Sequence, residues 1–278
     1  MVVTPSRVAR ARVTAQDAVS WLCARLPARW RLRLRASYLS GGSPAAQRAR
    51  RAVLRVVRLG GIPQAGPFPV PGYADAFYYK PRGRGLKPVL VYLHGRGGNP
   101  AEDCRKWAHV ATQFGWVLCP SGPEDRGEGA RAWNNNASLG GVIAKASLDA
   151  LRVKYKHRVQ LHGNVLIGFS EGAFVAMQVG LHDPQTWSRW LILAANDQYW
   201  WGDAKQILTD NRRRIKRVYL LTGETDEVAP NTLRVADILK DTKIPHKVRI
   251  APNMGHEVPG ERMRSMYRRP LAWLLSHG

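Results

Sequence analysis

Cysteine is scarce in this chain of 278 residues, and Cys23, Cys104 and Cys119 stand far apart. No C-x-x-C pair occurs, which excludes the spacing of zinc ribbons and thioredoxin-like redox sites. The three read as small buried thiols in a reducing compartment. Long apolar runs are missing too. A membrane-spanning helix needs ~18 apolar residues, and the longest candidates, such as residues 88–93, are strand-sized. Acids are few: 20 Asp and Glu stand against 43 Lys and Arg, for a formal net charge of +23. Such an excess attracts polyanions, nucleic acid and anionic lipid among them. No G-x-G-x-x-G opens a dinucleotide unit, no internal repeat occurs and no metal-ligand constellation stands out. Neither a cofactor nor a metal is therefore expected.

What is present is a globular composition, 45% hydrophobic with 10 Trp, enough for a full core. The positive charge is unevenly spread. Residues 1–60 hold 13 Arg and a single acid, Asp17. Arginines interrupt every apolar stretch there, so none forms the h-region of about 7–15 residues that a secretory signal needs. Residues 13–26 have helical spacing with Thr14 as a candidate N-cap, residues 30–39 alternate Arg with apolar side chains, and 45–59 is another basic helical stretch. Residues 1–60 are thus expected to form an Arg-rich, helical extension, solvated and able to hold an anionic surface (lipid or nucleic acid) weakly. An organelle-targeting segment, or a start codon placed too early, has the same look. With no secretory signal, a cytoplasmic location is expected.

Residues 61–278 have a different character. Residues 60–72, rich in Gly and Pro, read as a connector. Strands are expected at 75–80, 88–93, 116–119, 165–167, 190–195, 217–222 and 247–251. Helices are expected at 101–113, 141–155, 231–240 and 261–276, with another beginning just after Gly172. Strand and helix in alternation imply a mostly parallel sheet with helices on both faces.

The stretch that organises the rest is residues 164–172, N-V-L-I-G-F-S-E-G. A short apolar strand runs into a G-x-S-x-G turn and then into a helix, the context of a nucleophile elbow. A serine hydroxyl needs a base, usually a histidine oriented by a carboxylate. In doubly wound sheets such groups gather beyond the carboxyl ends of the strands. Asp226 follows the strand at 217–222 and His256 follows the strand at 247–251, lying 56 and 86 residues after Ser170. Glu224 and Glu227 are rival acids. His246 is a rival base, but at the start of its strand and so at the wrong edge. Two segments are candidates for lining a pocket, Trp133-Asn134-Asn135-Asn136 and Asn196-Asp197-Gln198-Tyr199-Trp200-Trp201, with Trp133, Asn134, Trp200 and Trp201, and also Gly95, as the candidate substrate contacts. Aromatic rings beside polar groups suit a partly apolar acyl or aryl group, although Trp200 and Trp201 could equally cover the core. No long cap fits between residues 195 and 217, so the site should be open or thinly covered.

From about residue 72 onward the chain resembles the α/β-hydrolase superfamily, in particular its small carboxylesterases, phospholipase-like enzymes and polyhydroxybutyrate-depolymerase-like serine esterases. The matching pieces are L-H-G-R-G-G-N-P at 93–100, G-F-S-E-G at 168–172, G-E-T-D-E-V-A-P at 223–230 and G-H-E-V-P at 255–259. The resemblance implies an α/β-hydrolase fold and a Ser170–Asp226–His256 triad. It also implies an oxyanion hole from the backbone N–H groups of Glu171 and Arg96, beside Gly95, with His94 in a structural role. Arg96 and Glu171 are charged where many relatives carry neutral residues, so an ion pair across the hole, or a contact to an acidic substrate, is expected. The expected activity is cleavage of a small-molecule carboxylic ester through an acyl-enzyme. Thioesterase, peptidase and acyltransferase chemistry use the same triad, and a non-catalytic polyanion- or membrane-binding scaffold is the reading from another class.

If the extension does bind phosphates, deleting residues 1–60 should flatten the salt dependence of binding to DNA and to anionic vesicles. Each lost phosphate contact lowers the logarithmic slope by about 0.7–0.9. An unchanged slope would leave the arm without a polyanion partner.

Overall fold

The computed structural model describes residues 65–200 and 202–276. The expected extension at 1–60 lies outside the described residues, as does Trp201.

Among the described residues, ten strands and six α-helices follow in the order β1 (Pro67–Val70), β2 (Tyr73–Tyr79), β3 (Val89–Leu93), α1 (Pro100–Ala111), β4 (Trp116–Cys119), β5 (Glu124–Asp125), β6 (Arg131–Ala132), α2 (Ala137–Tyr155), β7 (Val165–Phe169), α3 (Glu171–His182), β8 (Arg189–Leu193), α4 (Ala204–Asn211), β9 (Arg217–Gly223), α5 (Ala229–Asp241), β10 (His246–Ala251) and α6 (Met263–Leu275). Eight strands form one sheet in the order β1-β2-β4-β3-β7-β8-β9-β10, while β5 and β6 make a separate two-residue ladder. From β4 to β10 every pairing in the large sheet is parallel, and the reversed strand β2 makes the two antiparallel pairings, with β1 and with β4, at one edge.

Strands β3, β4 and the first four residues of β7 are buried on both faces, which is why they read as unbroken apolar runs. One core layer packs α2, α3 and α5 onto the sheet around Trp190, Trp133, Leu148 and Val235. The other packs α1 and α6 onto the opposite face through Trp107, Tyr92 and Tyr267, whose rings lie 4.8–5.2 Å apart. Cys104 and Cys119 are free and buried in this second layer. Burial, and then the neighbouring Cys104, pushes the Cys119 thiol well above its ordinary value. No helix among the described residues is long and apolar enough to cross a membrane.

Besides the short β5–β6 ladder, which falls where a loop over residues 120–139 was expected, three elements depart from the sequence reading. Residues 67–70, read as connector, form β1, because Phe68 and Val70 alternate inward and Pro67 sits where an edge strand tolerates proline. Helix α2 begins at Ala137, four residues before the expected start. The Asn136 side chain caps it by accepting the Leu139 N–H at 2.9 Å, and Gly140 lets α2 approach α3 so closely that a Cβ would lie 2.5 Å from Val175. Helix α4 went unforeseen in the stretch between β8 and β9, where its buried anchors are only Ala204 and Leu208. That stretch holds no long cap, in keeping with the sequence reading.

Backbone contact fixes where the strand ends meet. A Cβ at Gly223, the last residue of β9, would lie 2.1 Å from the carbonyl oxygen of Met254, in the loop after β10. Gly223→Ala should therefore destabilise the fold by about 2–3 kcal/mol through overpacking, read from chemical denaturation. Gly66→Ala, where nothing lies within 4 Å, serves as the near-neutral comparison.

Candidate functional site

Ser170 sits between β7 and α3 with φ +55° and ψ −119°, a backbone conformation that L side chains rarely adopt. Sharpness of the turn explains both flanking glycines. A Cβ at Gly168 would lie 2.3 Å from Gly172 O, and one at Gly172 would lie 2.1 Å from Leu93 O at the end of β3. The Ser170 N–H donates to Leu193 O across to β8 at 3.2 Å. The serine is thus held at the carboxyl edge of the sheet by its own backbone.

The loops after β9 and β10 bring the other two groups to it. His256 Nε2 lies 2.9 Å from Ser170 Oγ, and His256 Nδ1 lies 2.9 Å from Asp226 Oδ2. Asp226 is buried, and its second oxygen accepts the Val228 N–H at 3.1 Å. This directs one oxygen to the imidazole and uses the other to shape the turn. The rival acids are placed elsewhere: Glu227 is exposed, and Glu224 is exposed and accepts the Asn253 N–H. His246 contacts Ile244 O at the start of β10, on the opposite edge of the sheet. Thr225 ties the two loops together by donating both its N–H and its hydroxyl to Met254 O at 3.0 Å.

Gly95 packs against the serine, where a Cβ would come 3.0 Å from the Phe169 ring and 3.4 Å from Ser170 Cβ. Among the described residues neither the Arg96 N–H nor the Glu171 N–H has a protein acceptor. Their side chains pair with each other. Arg96 donates through Nε at 3.1 Å and Nη2 at 2.9 Å to Glu171 Oε1. Glu171 also accepts the Asn135 N–H at Oε1 and the Trp133 N–H at Oε2. Its carboxylate is 4% exposed whereas the Arg96 side chain is 53% exposed. One buried carboxylate therefore pins the loops after β3 and β4 onto the first residue of α3. Of the two expectations for these charges, the ion pair is the one present.

Two of the aromatic candidates belong to the core. Trp133 is fully buried, with its indole N–H donating to His94 O at 2.8 Å, so it presents no surface to a substrate. Trp200 is 8% exposed and donates to Met177 O, packed against Trp190. Asn134 is exposed, with φ +52°, and lines a groove of about 1080 Å³ with Asn135, Phe174, Gln178 and Tyr73. Sequence reasoning named Asn134 and Asn135 but not Phe174, Gln178 or Tyr73, and it missed Phe169, whose ring lies 4.9 Å from that of His256. Its place inside G-x-S-x-G was the available signal.

No protein-family model matches the sequence, and no curated protein matches it. Solved structures do share the fold. Esterase PE8 superposes with a TM-score of 0.54 at 19% identity, over 71% of this chain and 97% of that one. The Bacillus cereus carboxylesterase gives 0.53 at 17%, over 72% and 92%. An S-formylglutathione hydrolase from Agrobacterium tumefaciens gives 0.56 at 18%, over 76% and 97%. At these identities the likeness is one of fold.

His94 supports the Gly95–Arg96 turn as a neutral imidazole. Its Nδ1–H donates to Gly95 O at 2.8 Å and its Nε2 accepts the Gly122 N–H at 3.0 Å. Burial holds its pKa below the ordinary 6.5. In the unfolded chain the ring gains a proton near pH 6.5, while in the fold it stays neutral to lower pH. Its contribution is complete above about pH 6.5 and is lost as the pH falls towards the depressed value. Unfolding free energies should therefore drop more steeply between pH 7.5 and the mildly acidic range in wild type than in His94→Gln. Parallel slopes would refute this.

Proposed function

We propose that this chain, which has the α/β-hydrolase fold, is a serine hydrolase that cleaves carboxylic esters through an acyl-enzyme. One observation carries the proposal, the hydrogen-bonded run from Ser170 Oγ through His256 to the buried Asp226, with 2.9 Å at each step. In this reading Ser170 Oγ attacks the ester carbonyl while His256 Nε2 takes its proton. Asp226 holds the Nδ1 proton, keeps the imidazole in the required tautomer and stabilises the imidazolium. The developing oxyanion is received by the Arg96 and Glu171 N–H groups, whose lack of other acceptors suits that role. Each such donor contributes about 10²–10³-fold in rate. His256 then protonates the leaving alcohol. In the second half it activates water, which releases the acid and restores Ser170.

The substrate side is more open. Gly95 packs directly against Phe169 and Ser170, and the Asn134 groove, which has Phe174 on its wall, is lined by none of Ser170, Asp226 and His256, so the acyl or aryl group is not assigned to it. Among the described residues between β8 and β9 lie a short turn and the eight-residue α4, which suits a site that this stretch does not cap. Thioesterase, peptidase and acyltransferase chemistry rest on the same geometry. Turnover of matched oxygen-ester, thioester and amide substrates on one preparation separates them.

A fluorophosphonate probe should label the wild-type protein stoichiometrically by intact mass, and Ser170→Ala not at all. Asp226→Asn, which keeps the shape but disturbs the tautomer, should fold normally and lose about 10⁴-fold in kcat. Folded wild-type protein that takes no label, or Ser170→Ala that still turns over esters, would sink the proposal in favour of a scaffold role.

A further inference from the structure

We propose that the edge of the sheet opposite Ser170 is a docking surface for anionic phospholipid bilayers. Two segments meet there. Residues 80–88 read K-P-R-G-R-G-L-K-P and residues 152–164 read R-V-K-Y-K-H-R-V-Q-L-H-G-N. Together they hold eight Lys or Arg and no acid. The backbone joins them into one patch: Lys87 N–H donates to Arg158 O at 3.1 Å and Gln160 N–H to Lys87 O at 2.9 Å. Arg152 closes it from α2 by donating to the carbonyls of Gln160 and Leu161. The segments precede β3 and β7, whereas Ser170 follows β7, so patch and serine lie at opposite ends of the same strands.

The apolar content of this patch is as notable as its charge. Leu86 is 61% exposed, Val153 78% and Leu161 61%. Six large apolar side chains are exposed among the described residues, and three of them are here. Attraction to the negative end of α2 accounts for Lys154 and Lys156, but not for Leu86, Val153 or Leu161. No carboxylate among the described residues pairs with Arg82, Arg84, Lys87 or Lys156. Asp149, one turn back along α2, is already held by Lys145 and Arg152.

Basic residues around exposed aliphatic side chains match the two layers of an anionic membrane face. The cations meet lipid headgroups, and the aliphatic chains enter the boundary beneath them. A nucleic acid offers phosphates but no apolar layer for three aliphatic side chains, so lipid is the better fit. Docked this way, the molecule is held by its back, and the Ser170 edge faces water. Its substrates would then come from solution and not from the bilayer. The inference stands on the surface alone and does not depend on the proposed hydrolysis.

Flotation of the full chain with phosphatidylcholine vesicles, with and without about 30 mol% phosphatidylserine, tests it. Wild type should float only with the anionic vesicles. A basic residue near such a surface contributes about fivefold, so Arg84→Glu with Lys87→Glu should weaken partitioning about 25-fold or more. Leu86→Ser with Val153→Ser and Leu161→Ser should weaken it at least tenfold while leaving retention on duplex DNA unchanged. All variants should keep the wild-type thermal midpoint and soluble-ester turnover. If the first pair shifts the midpoint, Lys156→Glu with His162→Glu replaces it. Variants that float like wild type would overturn the proposal. So would a serine triple that floats normally while the charge pair weakens vesicle and DNA binding together, which would mark a general polyanion surface.

Discussion

Backbone-to-backbone contact at the carboxyl edge of the sheet is the constraint from which the site follows. Gly168 meets Gly172 O, Gly172 meets Leu93 O, and Gly223 meets Met254 O, each too closely for a Cβ. These contacts lie at the ends of β3, β7, β9 and the loop after β10. They pull together the Gly95–Arg96 turn, the serine turn and the two loops that carry Asp226 and His256. Side chains from four separate strand–helix units then converge without any of them reaching far. Hydrogen bonds add direction to a meeting already set by shape.

Much of this was legible in the sequence, and what was not has physical causes. Strands such as β3 and β4 announce themselves because both faces are buried. Strand β1 hid among Gly and Pro, since an edge strand needs only alternate apolar residues and tolerates proline. Helix α2 was expected only from residue 141, because the Asn136 cap and the close helix contact at Gly140 are features of the fold. The Ser170, Asp226 and His256 positions could be read from their place after strands. Burial and the contact with His256 separate Asp226 from Glu224 and Glu227, and both are properties of the fold. Trp133, read as pocket-lining, and Trp200, left open between pocket and core, were obscured for a related reason. An aromatic residue in a loop can line a cavity or seal a core, and the partner of its indole N–H decides which.

Glu171 shows what local sequence conceals altogether. Its position after the serine drew attention to its amide, while its carboxylate gathers donors from Arg96, Trp133 and Asn135. A charge in that position looks like a feature for substrate, yet it is neutralised and enclosed. The same caution extends to the neighbours. Structures named as a ferulic acid esterase, an S-formylglutathione hydrolase and a dipeptidyl peptidase share this fold at 11–18% identity. A fold shared at that distance does not choose among their activities.

The left-handed backbone at Ser170 has a consequence for how this sequence would drift. A non-glycine residue held in so sparsely populated a region costs about 1–3 kcal/mol, which the surrounding sheet must offset. Glycine would relieve the strain at once and remove the hydroxyl with it. In the proposed reading, in which Ser170 is the nucleophile, stability and chemistry pull position 170 in opposite directions. A library of this chain selected for thermal resistance alone would be drawn to glycine there, and only a selection that also demands turnover would keep the serine.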